Sequence, residues 1–150
     1  MLWGYTFPKI KHPVVNARIE TAGAKPAFKE DWRSHRCIIP ASWYFEWKHY
    51  PMPDGKTKTG EKYAIQPVGR TMTLLAGLYR FEKELPVFTV LTRAPEGEVT
   101  EIHDRMPVIL PEDAAEEWVC PNRNPKQIAS ASLTEMFLER VDGQIEINPK

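Results

Sequence analysis

The chain has 150 residues, the length of one domain, and its 42% hydrophobic and 27% charged residues are typical of a globular protein and exclude a disordered one. Twenty Lys and Arg balance twenty Asp and Glu, which excludes a uniformly basic nucleic-acid-binding surface. The charge is nevertheless uneven. Residues 1–50 carry eight basic and four acidic residues (+4), whereas residues 101–150 carry five and ten (−5). The neutral total therefore hides a basic first third.

The lengths of the apolar runs and the number of cysteines indicate where in the cell the protein is expected. No run approaches the roughly 18 apolar residues that a membrane-spanning helix needs. The two cysteines, Cys37 and Cys120, lack metal-ligand spacing and are expected to be reduced, inert packing residues. We therefore expect a cytoplasmic protein with no membrane partner, no metal and no cofactor.

The first half of the chain predicts short elements, as its fourteen prolines indicate. Residues 14–21 alternate as a strand that would place Asn16, Arg18 and Glu20 on one face. Residues 25–32 fit one or two helical turns. Clusters of β-branched and aromatic residues predict further strands at residues 36–39, 71–79, 87–92 and 107–110.

A hairpin is predicted in the middle of the chain. Residues 42–47 and 63–66 are both short and β-prone. The residues between them, 51–60, are rich in Pro, Gly, Asp and Lys, which indicates a long exposed loop.

The last third predicts short helices at residues 96–102 and 112–119. Residues 133–147 fit either a hairpin around Asp142-Gly143 or a helix that begins at Leu133. Together the elements predict one domain of the α+β class. Its sheet would be curved, mainly antiparallel and barrel-like, with short helices at the periphery.

Two polar groups stand out in apolar surroundings. Asn16 and Arg18 belong either to a solvent-facing edge strand or to a groove that grips a phosphate and aims a carboxamide at a second polar atom. Glu46 lies among four aromatic residues, where a raised pKa would suit a general acid or base. The alternative is that Glu46 points to water while Phe45 and Trp47 lie in the core. Both interpretations stay open.

A third group is a histidine in a loop before a strand. His103 precedes an apolar strand, with Arg105 two positions later as a candidate phosphate contact. Histidine titrates near neutral pH, although a lone histidine is usually structural. The other three histidines, His12, His35 and His49, are expected to be surface residues.

Four sequence blocks carry a resemblance to a known family: Trp3-Gly4-Tyr5, residues 16–21, Phe45-Glu46-Trp47 and residues 102–107. In this order they resemble the SOS response-associated peptidase (SRAP) family of abasic-site-processing proteins, from Trp3 to about Trp118. The resemblance implies a DNA-damage response protein that recognises abasic sites in single-stranded DNA. It also implies a cysteine directly after the initiator Met, which closes a thiazolidine with the sugar aldehyde once the Met has been removed by the peptidase activity.

The resemblance also implies residue roles. Asn16 would orient the sugar and the cysteine, Glu46 would shuttle protons, and His103 would assist ring opening and Schiff-base turnover. DNA contacts are implied for four residues, Arg18, Arg105, Trp47 and Trp3.

The sequence departs from the family at its start. Family members begin Met-Cys-Gly-Arg-Phe, whereas this sequence begins Met1-Leu2-Trp3. We therefore expect a fragment, a mis-assigned start or a degenerate homologue that does not crosslink DNA alone and self-associates through an exposed sheet edge. Two functions stay open, an abasic-site-processing enzyme that retains its acid–base residues and a non-catalytic single-stranded DNA-binding module. A hydrolase built on Glu46 and His103 alone is the weaker third.

Overall fold

The computed structural model describes residues 1–141. Its strands in chain order are β1 (Leu2–Trp3), β2 (Asn16–Arg18), β3 (Arg36–Ala41), β4 (Tyr44–Pro51), β5 (Thr57–Pro67), β6 (Thr73–Glu82), β7 (Leu85–Arg93), β8 (Met106–Pro107) and β9 (Met136–Val141). The helices are α1 (Ile19–Ala22), α2 (Lys29–Ser34), α3 (Glu112–Trp118) and α4 (Pro125–Ala129), with a 3-10 helix at Gly97–Glu101. None of the helices within residues 1–141 combines the length and apolar character needed to cross a membrane.

Strand β7 organises the larger, six-stranded sheet. Strands β1 and β2 pair with it in parallel along one edge, and β6 and then β8 pair antiparallel along the other. Strand β3 extends the sheet beyond β6. The smaller sheet is antiparallel, in the order β4-β5-β9. The α+β class and the mainly antiparallel pairing are thus confirmed, with two sheets in place of the one expected.

Two apolar clusters hold these elements together. The first packs α3, α4 and the chain near Tyr5 against the larger sheet, and its largest member, Trp118, is fully buried. The Trp118 indole donates to the carbonyl of Cys37 at 3.0 Å, which satisfies its polar atom. The second cluster joins the two sheets through buried side chains that include Ile65 of β5 and Leu75 of β6. The smaller sheet is therefore fixed relative to the larger one.

The hairpin arm formed by β4 and β5 is longer than predicted. Pairing continues as far as Pro51 and Thr57, so the predicted loop at residues 51–60 is wrong and the turn is confined to residues 52–56. Gly55 supplies the positive φ of +80° that this turn requires. The outer part of the arm is exposed and polar, so no apolar alternation marks it as paired.

Several predicted boundaries also move. The strand predicted at residues 14–21 ends at Arg18, and Glu20 lies in α1 rather than on the strand face. The helix predicted at residues 25–32 begins at Lys29. After β8, the strand predicted at residues 107–110 is reduced to an isolated bridge at Ile109.

The other predictions have mixed outcomes. The strands at residues 36–39, 71–79 and 87–92 correspond to β3, β6 and β7, and α3 confirms the helix at residues 112–119. The helix at residues 96–102 is a 3-10 helix. A helix from Leu133 is wrong, because β9 forms there and pairs with β5. The second arm of the alternative hairpin lies outside the described residues. Helix α4 was missed, although Asn124 caps it and Pro125 begins it.

Candidate active site

A cavity of about 500 Å³ opens between the two sheets, where β2, β4 and β7 meet the loop before β8. Its walls are mostly apolar. The polar residues that line it are Asn16, Tyr44, Glu46, Thr92, His103 and Arg105. The three predicted catalytic residues, which come from distant parts of the sequence, therefore share one cavity.

Each of the three is positioned by a different element. Asn16 begins β2, where it pairs with Val90 at the centre of the larger sheet. Glu46 belongs to β4 of the smaller sheet, and His103 follows the 3-10 helix. A backbone hydrogen bond of 3.2 Å from His49 to Ile102 ties β4 to the histidine loop. This tie holds Glu46 and His103 next to each other across the two sheets.

Glu46 faces the cavity rather than bulk water. Its carboxylate Oε1 lies 3.8 Å from His103 Nε2, and both side chains are only about a quarter exposed, at 27% and 26%. Phe45 and Trp47, its neighbours along the strand, are each 44% exposed. The alternative interpretation, with a solvated glutamate between two core aromatics, is thus wrong. The strand has the opposite orientation, with its aromatic face outward, where the Lys62 ammonium lies 4.5 Å from the Phe45 ring and 5.0 Å from the Trp47 ring.

The backbone fixes the orientation of His103. The Arg105 N–H donates to His103 Nδ1 at 3.2 Å. Nδ1 also lies 3.3 Å from the Arg105 carbonyl oxygen and 3.2 Å from the Asp104 carboxylate, so it finds a partner in either tautomer, while Nε2 faces Glu46. At 3.8 Å the pair is too far apart for a direct hydrogen bond. The gap leaves both groups able to exchange a proton with a bound substrate or a water molecule.

The two predicted phosphate-binding arginines differ in their surroundings. Arg105 forms a bidentate pair with Glu20, at 2.9 and 2.8 Å, and also contacts the Thr92 hydroxyl. Hydrogen bonding to Arg105 lowers the pKa of the Glu20 carboxyl to about 2. Arg18 is exposed, and its side chain forms no hydrogen bond or ion pair with any residue in the described range 1–141. Arg18 is therefore the more available of the two for a phosphate.

The two predicted DNA-contacting tryptophans also differ. Trp3 lines the cavity with 57% of its surface exposed, stacks on Phe88 and donates from Nε1 to the Val15 carbonyl at 2.9 Å. Trp47 does not line the cavity. Trp3 thus presents a fixed ring at the cavity edge, whereas Trp47 lies on the outer face of β4. The DNA-binding roles of both remain predictions.

The sequence analysis did not predict one residue of the cavity wall, Tyr44, and one residue next to the cavity, His49. The Tyr44 hydroxyl is buried in the cavity wall without a hydrogen-bond partner among residues 1–141, and burial raises its pKa well above the usual range. Strand alternation with Glu46 would have placed it on the cavity face. His49, expected to be a surface residue, has its ring centre 5.0 Å from that of His103. A register shift in β4 between Trp47 and His49 produces this contact, and the sequence has no signal for it.

Neither cysteine of the sequence lines the cavity. Cys37 is in β3, and burial raises the pKa of its thiol to about 12, so the thiolate is scarce at neutral pH. Cys120 is exposed after α3. The cavity therefore holds acid–base groups and no thiol nucleophile from residues 1–141.

The family model and the curated relatives that match this chain point to the same family. The family model described as "SOS response associated peptidase (SRAP)" matches residues 1–147. The abasic site processing protein YoaM of Bacillus subtilis is 37% identical over 142 residues, which cover 87% of this chain and 60% of that protein. The abasic site processing protein YedK of Escherichia coli is 34% identical over 128 residues, covering 79% of this chain and 53% of that protein.

Solved structures show the same fold. A phage-related protein from Bordetella bronchiseptica has a TM-score of 0.74 at 28% identity, covering 95% of this chain and 70% of that one. A protein from Bacteroides thetaiotaomicron has a TM-score of 0.69 at 27% identity, covering 84% and 57%. The chain spans about 60% of the length of the first curated relatives that it matches. The family model and the relatives agree with the sequence blocks, and the chain belongs to the SOS response-associated peptidase (SRAP) family.

Proposed function

We propose that this chain carries the DNA-recognition and acid–base part of a protein that processes abasic sites in single-stranded DNA. The observation that supports this most is the convergence of Asn16, Glu46 and His103 in one apolar cavity. The substrate is suggested by the relatives, which are named abasic site processing proteins.

The cavity matches the chemistry of a sugar that has lost its base. A ring-opened abasic sugar presents an aldehyde and hydroxyl groups and no base. The Asn16 carboxamide can hydrogen-bond the hydroxyls, while apolar walls take the space that a base would fill. Arg18 is exposed in β2 two residues after Asn16, where it can contact a phosphate next to the lesion. The exposed ring of Trp3 can stack on a neighbouring unpaired base.

The Glu46–His103 pair supplies the proton transfers. When an N-terminal cysteine amine adds to the aldehyde carbon, the resulting carbinolamine loses water to give an imine, and the thiolate then adds to the imine carbon to close a thiazolidine. Glu46 takes the proton that the amine releases, and His103 gives a proton to the departing hydroxyl. The same pair would serve the peptidase step that removes the initiator Met. The cysteine is the family's nucleophile and not Cys37 or Cys120.

Binding tests the recognition part of the proposal. Fluorescence anisotropy would compare a single-stranded oligonucleotide containing a stable abasic analogue with the same strand intact and with its duplex. We expect the abasic single strand to bind most tightly, with an affinity that falls as salt rises because phosphate contacts release counterions. Equal affinity for the three DNAs, or binding that is independent of salt, would contradict the proposal.

A non-catalytic single-stranded DNA-binding module is the second candidate, favoured by the absence of a thiol from the cavity lining. Free L-cysteine, added as an aminothiol in solution, separates the two. An acid–base site should accelerate thiazolidine formation on an abasic single strand. A binding module should leave the rate at that of the DNA alone while still binding the abasic strand.

A further inference from the structure

We propose that Glu46, His49 and His103 form a binding site for a divalent first-row transition ion, for which Zn²⁺ is the probe. One ligand atom from each of these residues lies within 4.8 Å of the other two. One carboxylate and two imidazoles are ligands that such ions accept, and three protein ligands leave a further position for water.

The irregularity in β4 is what brings the three together. In a regular strand, residues three positions apart point to opposite faces, so Glu46 and His49 would face away from each other. The pairing of β4 with β5 shifts between Trp47 and His49, and such a bulge re-aims the side chains beyond it. The ring of His49 consequently lies against that of His103, at 70° between the ring planes. The bulge thus puts Glu46 and His49 on the same side of the strand.

The distances are close to those of a metal centre. Zinc bonds of roughly 2.0–2.2 Å at tetrahedral angles place ligand atoms about 3.3–3.5 Å apart. Glu46 Oε1 and His103 Nε2 are already 3.8 Å apart. Moving the most distant pair from 4.8 Å to coordination distance needs roughly 1–1.5 Å, which side-chain rotation can supply because all three residues are partly exposed.

The surroundings also favour coordination. Nδ1 of His103 lies 3.3 Å from the Arg105 carbonyl oxygen and 3.2 Å from the Asp104 carboxylate, and either oxygen can accept the Nδ1 proton, which leaves the Nε2 lone pair directed at Glu46. Holding the second ring nitrogen in this way is the usual means of orienting a histidine ligand. The backbone bond from His49 to Ile102 fixes the distance between the two histidine-bearing segments. A surface cleft lined by His49 and His103 gives an ion a path from solvent.

Occupancy by an ion would have a functional consequence, which rests on the proposed function. The ion would take the Glu46 oxygen and the His103 nitrogen that move protons in abasic-site processing. Bound Zn²⁺ is therefore expected to inhibit this processing reversibly.

Isothermal titration calorimetry with Zn²⁺ tests the site on the full chain. All variants would carry Cys120→Ser, because an exposed thiol also binds zinc. We expect one Zn²⁺ per chain, an affinity lowered at least about tenfold by His49→Gln, and no change with the matched control His12→Gln. No binding, or the same loss in both histidine variants, would overturn the proposal.

Cobalt gives a second readout that does not depend on a single variant. Co²⁺ bound at the site should show the intense visible absorption bands that are typical of a low coordination number. Glu46→Gln should weaken or shift these bands. Bands that are identical in wild type, Glu46→Gln and His49→Gln would show that the ion binds elsewhere and would overturn the site. Circular dichroism of each variant confirms that it is folded.

The expected inhibition by bound Zn²⁺ is tested in a separate experiment. Because L-cysteine would itself bind the ion, the readout is condensation of the abasic aldehyde with a thiol-free alkoxyamine in the presence of the chain. Zn²⁺ should slow this reaction, a chelator should restore the rate, and His49→Gln should be much less sensitive. Zinc binding without inhibition would remove the regulatory consequence and leave the metal site in place. Zinc binding by a chain that shows no affinity for abasic DNA would instead contradict the proposed function.

Discussion

Two of the carboxylate–histidine pairs within residues 1–141 have opposite characters. Asp31 and His35, in and after α2, are 2.8 Å apart, and the Tyr5 hydroxyl donates to the other Asp31 oxygen at 2.9 Å. Asp31 is buried, with 6% exposure. Glu46 and His103 are 3.8 Å apart, and the described residues offer the Glu46 carboxylate no closer partner than its own neighbour's backbone N–H at 3.3 Å.

The difference separates a structural pair from one that is open for chemistry. Burying a carboxylate is costly unless short hydrogen bonds satisfy it, and Asp31 has them. Burial and then the Asp31 charge raise the pKa of Tyr5 well above its usual range, so Tyr5 stays a donor. Glu46 and His103 have unused bonding capacity that faces a cavity. The short hydrogen bonds of Asp31 therefore stabilise the fold, whereas the long Glu46–His103 contact leaves hydrogen-bonding groups available in the cavity.

Breaking the structural pair should have the largest effect on stability. Asp31→Ala leaves the buried Tyr5 hydroxyl and the His35 ring without their acceptor, and we expect it to lower the free energy of unfolding by about 3 kcal/mol. Urea denaturation would measure the change. Tyr5→Phe, which removes one hydrogen bond and keeps the packing, should cost about 1 kcal/mol. Equal, small losses for both variants would contradict a structural role for the pair.

Breaking the open pair should change chemistry and leave stability nearly unchanged. Glu46→Gln keeps the shape of the side chain but cannot accept a proton. It should lower the rate of thiazolidine formation with L-cysteine by about 10²-fold, while the free energy of unfolding moves by less than about 0.5 kcal/mol. Glu84→Gln, in the exposed turn between β6 and β7, is the matched control and should alter neither quantity. A rate unchanged by Glu46→Gln would remove Glu46 from the chemistry.

Arg18, whose side chain is not paired with any residue in the range 1–141, tests whether DNA phosphates are bound next to the open pair. Arg18→Ala should weaken binding to abasic and intact single strands by the same several-fold factor, since a phosphate contact carries no information about the lesion. The slope of log affinity against log salt should fall by about 0.7 for the one lost contact. Arg70→Ala, an exposed arginine outside the cavity lining, serves as the control. An unchanged salt slope would mean that Arg18 does not touch a phosphate.

The smallest effect is expected from the surface pair of Glu20 and Arg105. The folded pKa of Glu20, about 2, lies below its usual value of 4.5. The pair therefore stabilises the folded state fully above about pH 4.5, and this stabilisation is lost as the pH falls towards 2. Because the Glu20 side chain is 46% exposed, screening should limit the effect to about 1 kcal/mol or less. Glu20→Gln should remove only this part of the acid dependence of urea midpoints, and an unchanged profile would argue against the pair.

The sequence was sufficient to predict secondary structure where local signals are strong. Clusters of β-branched and aromatic residues identified the strands β3, β6 and β7, and Pro111 with its following acids identified α3. The four sequence blocks were sufficient for the family. The prediction of Asn16, Glu46 and His103 as one site came from that resemblance, since spacing alone cannot bring residues from separate elements together.

The remainder depends on tertiary structure. The bulge that turns His49 towards His103 is a property of strand pairing and has no side-chain pattern. Arg105 pairs with Glu20 because α1 begins inside the predicted strand and places Glu20 near the arginine. The guanidinium that was predicted to contact a phosphate is therefore already paired. His35 looked like a surface histidine, and only the fold brings it and Tyr5 to the same aspartate.

The histidine ring signals provide the most direct test of the central claim that the open pair is the DNA site. A carbon–proton NMR spectrum of the four histidine rings would be recorded with increasing amounts of the abasic single-stranded analogue, and assigned with single His→Gln variants. The account predicts that the His103 signals shift in proportion to the bound fraction while those of His35 stay in place. Bound DNA that shifts His35, or that leaves His103 unchanged, would contradict it.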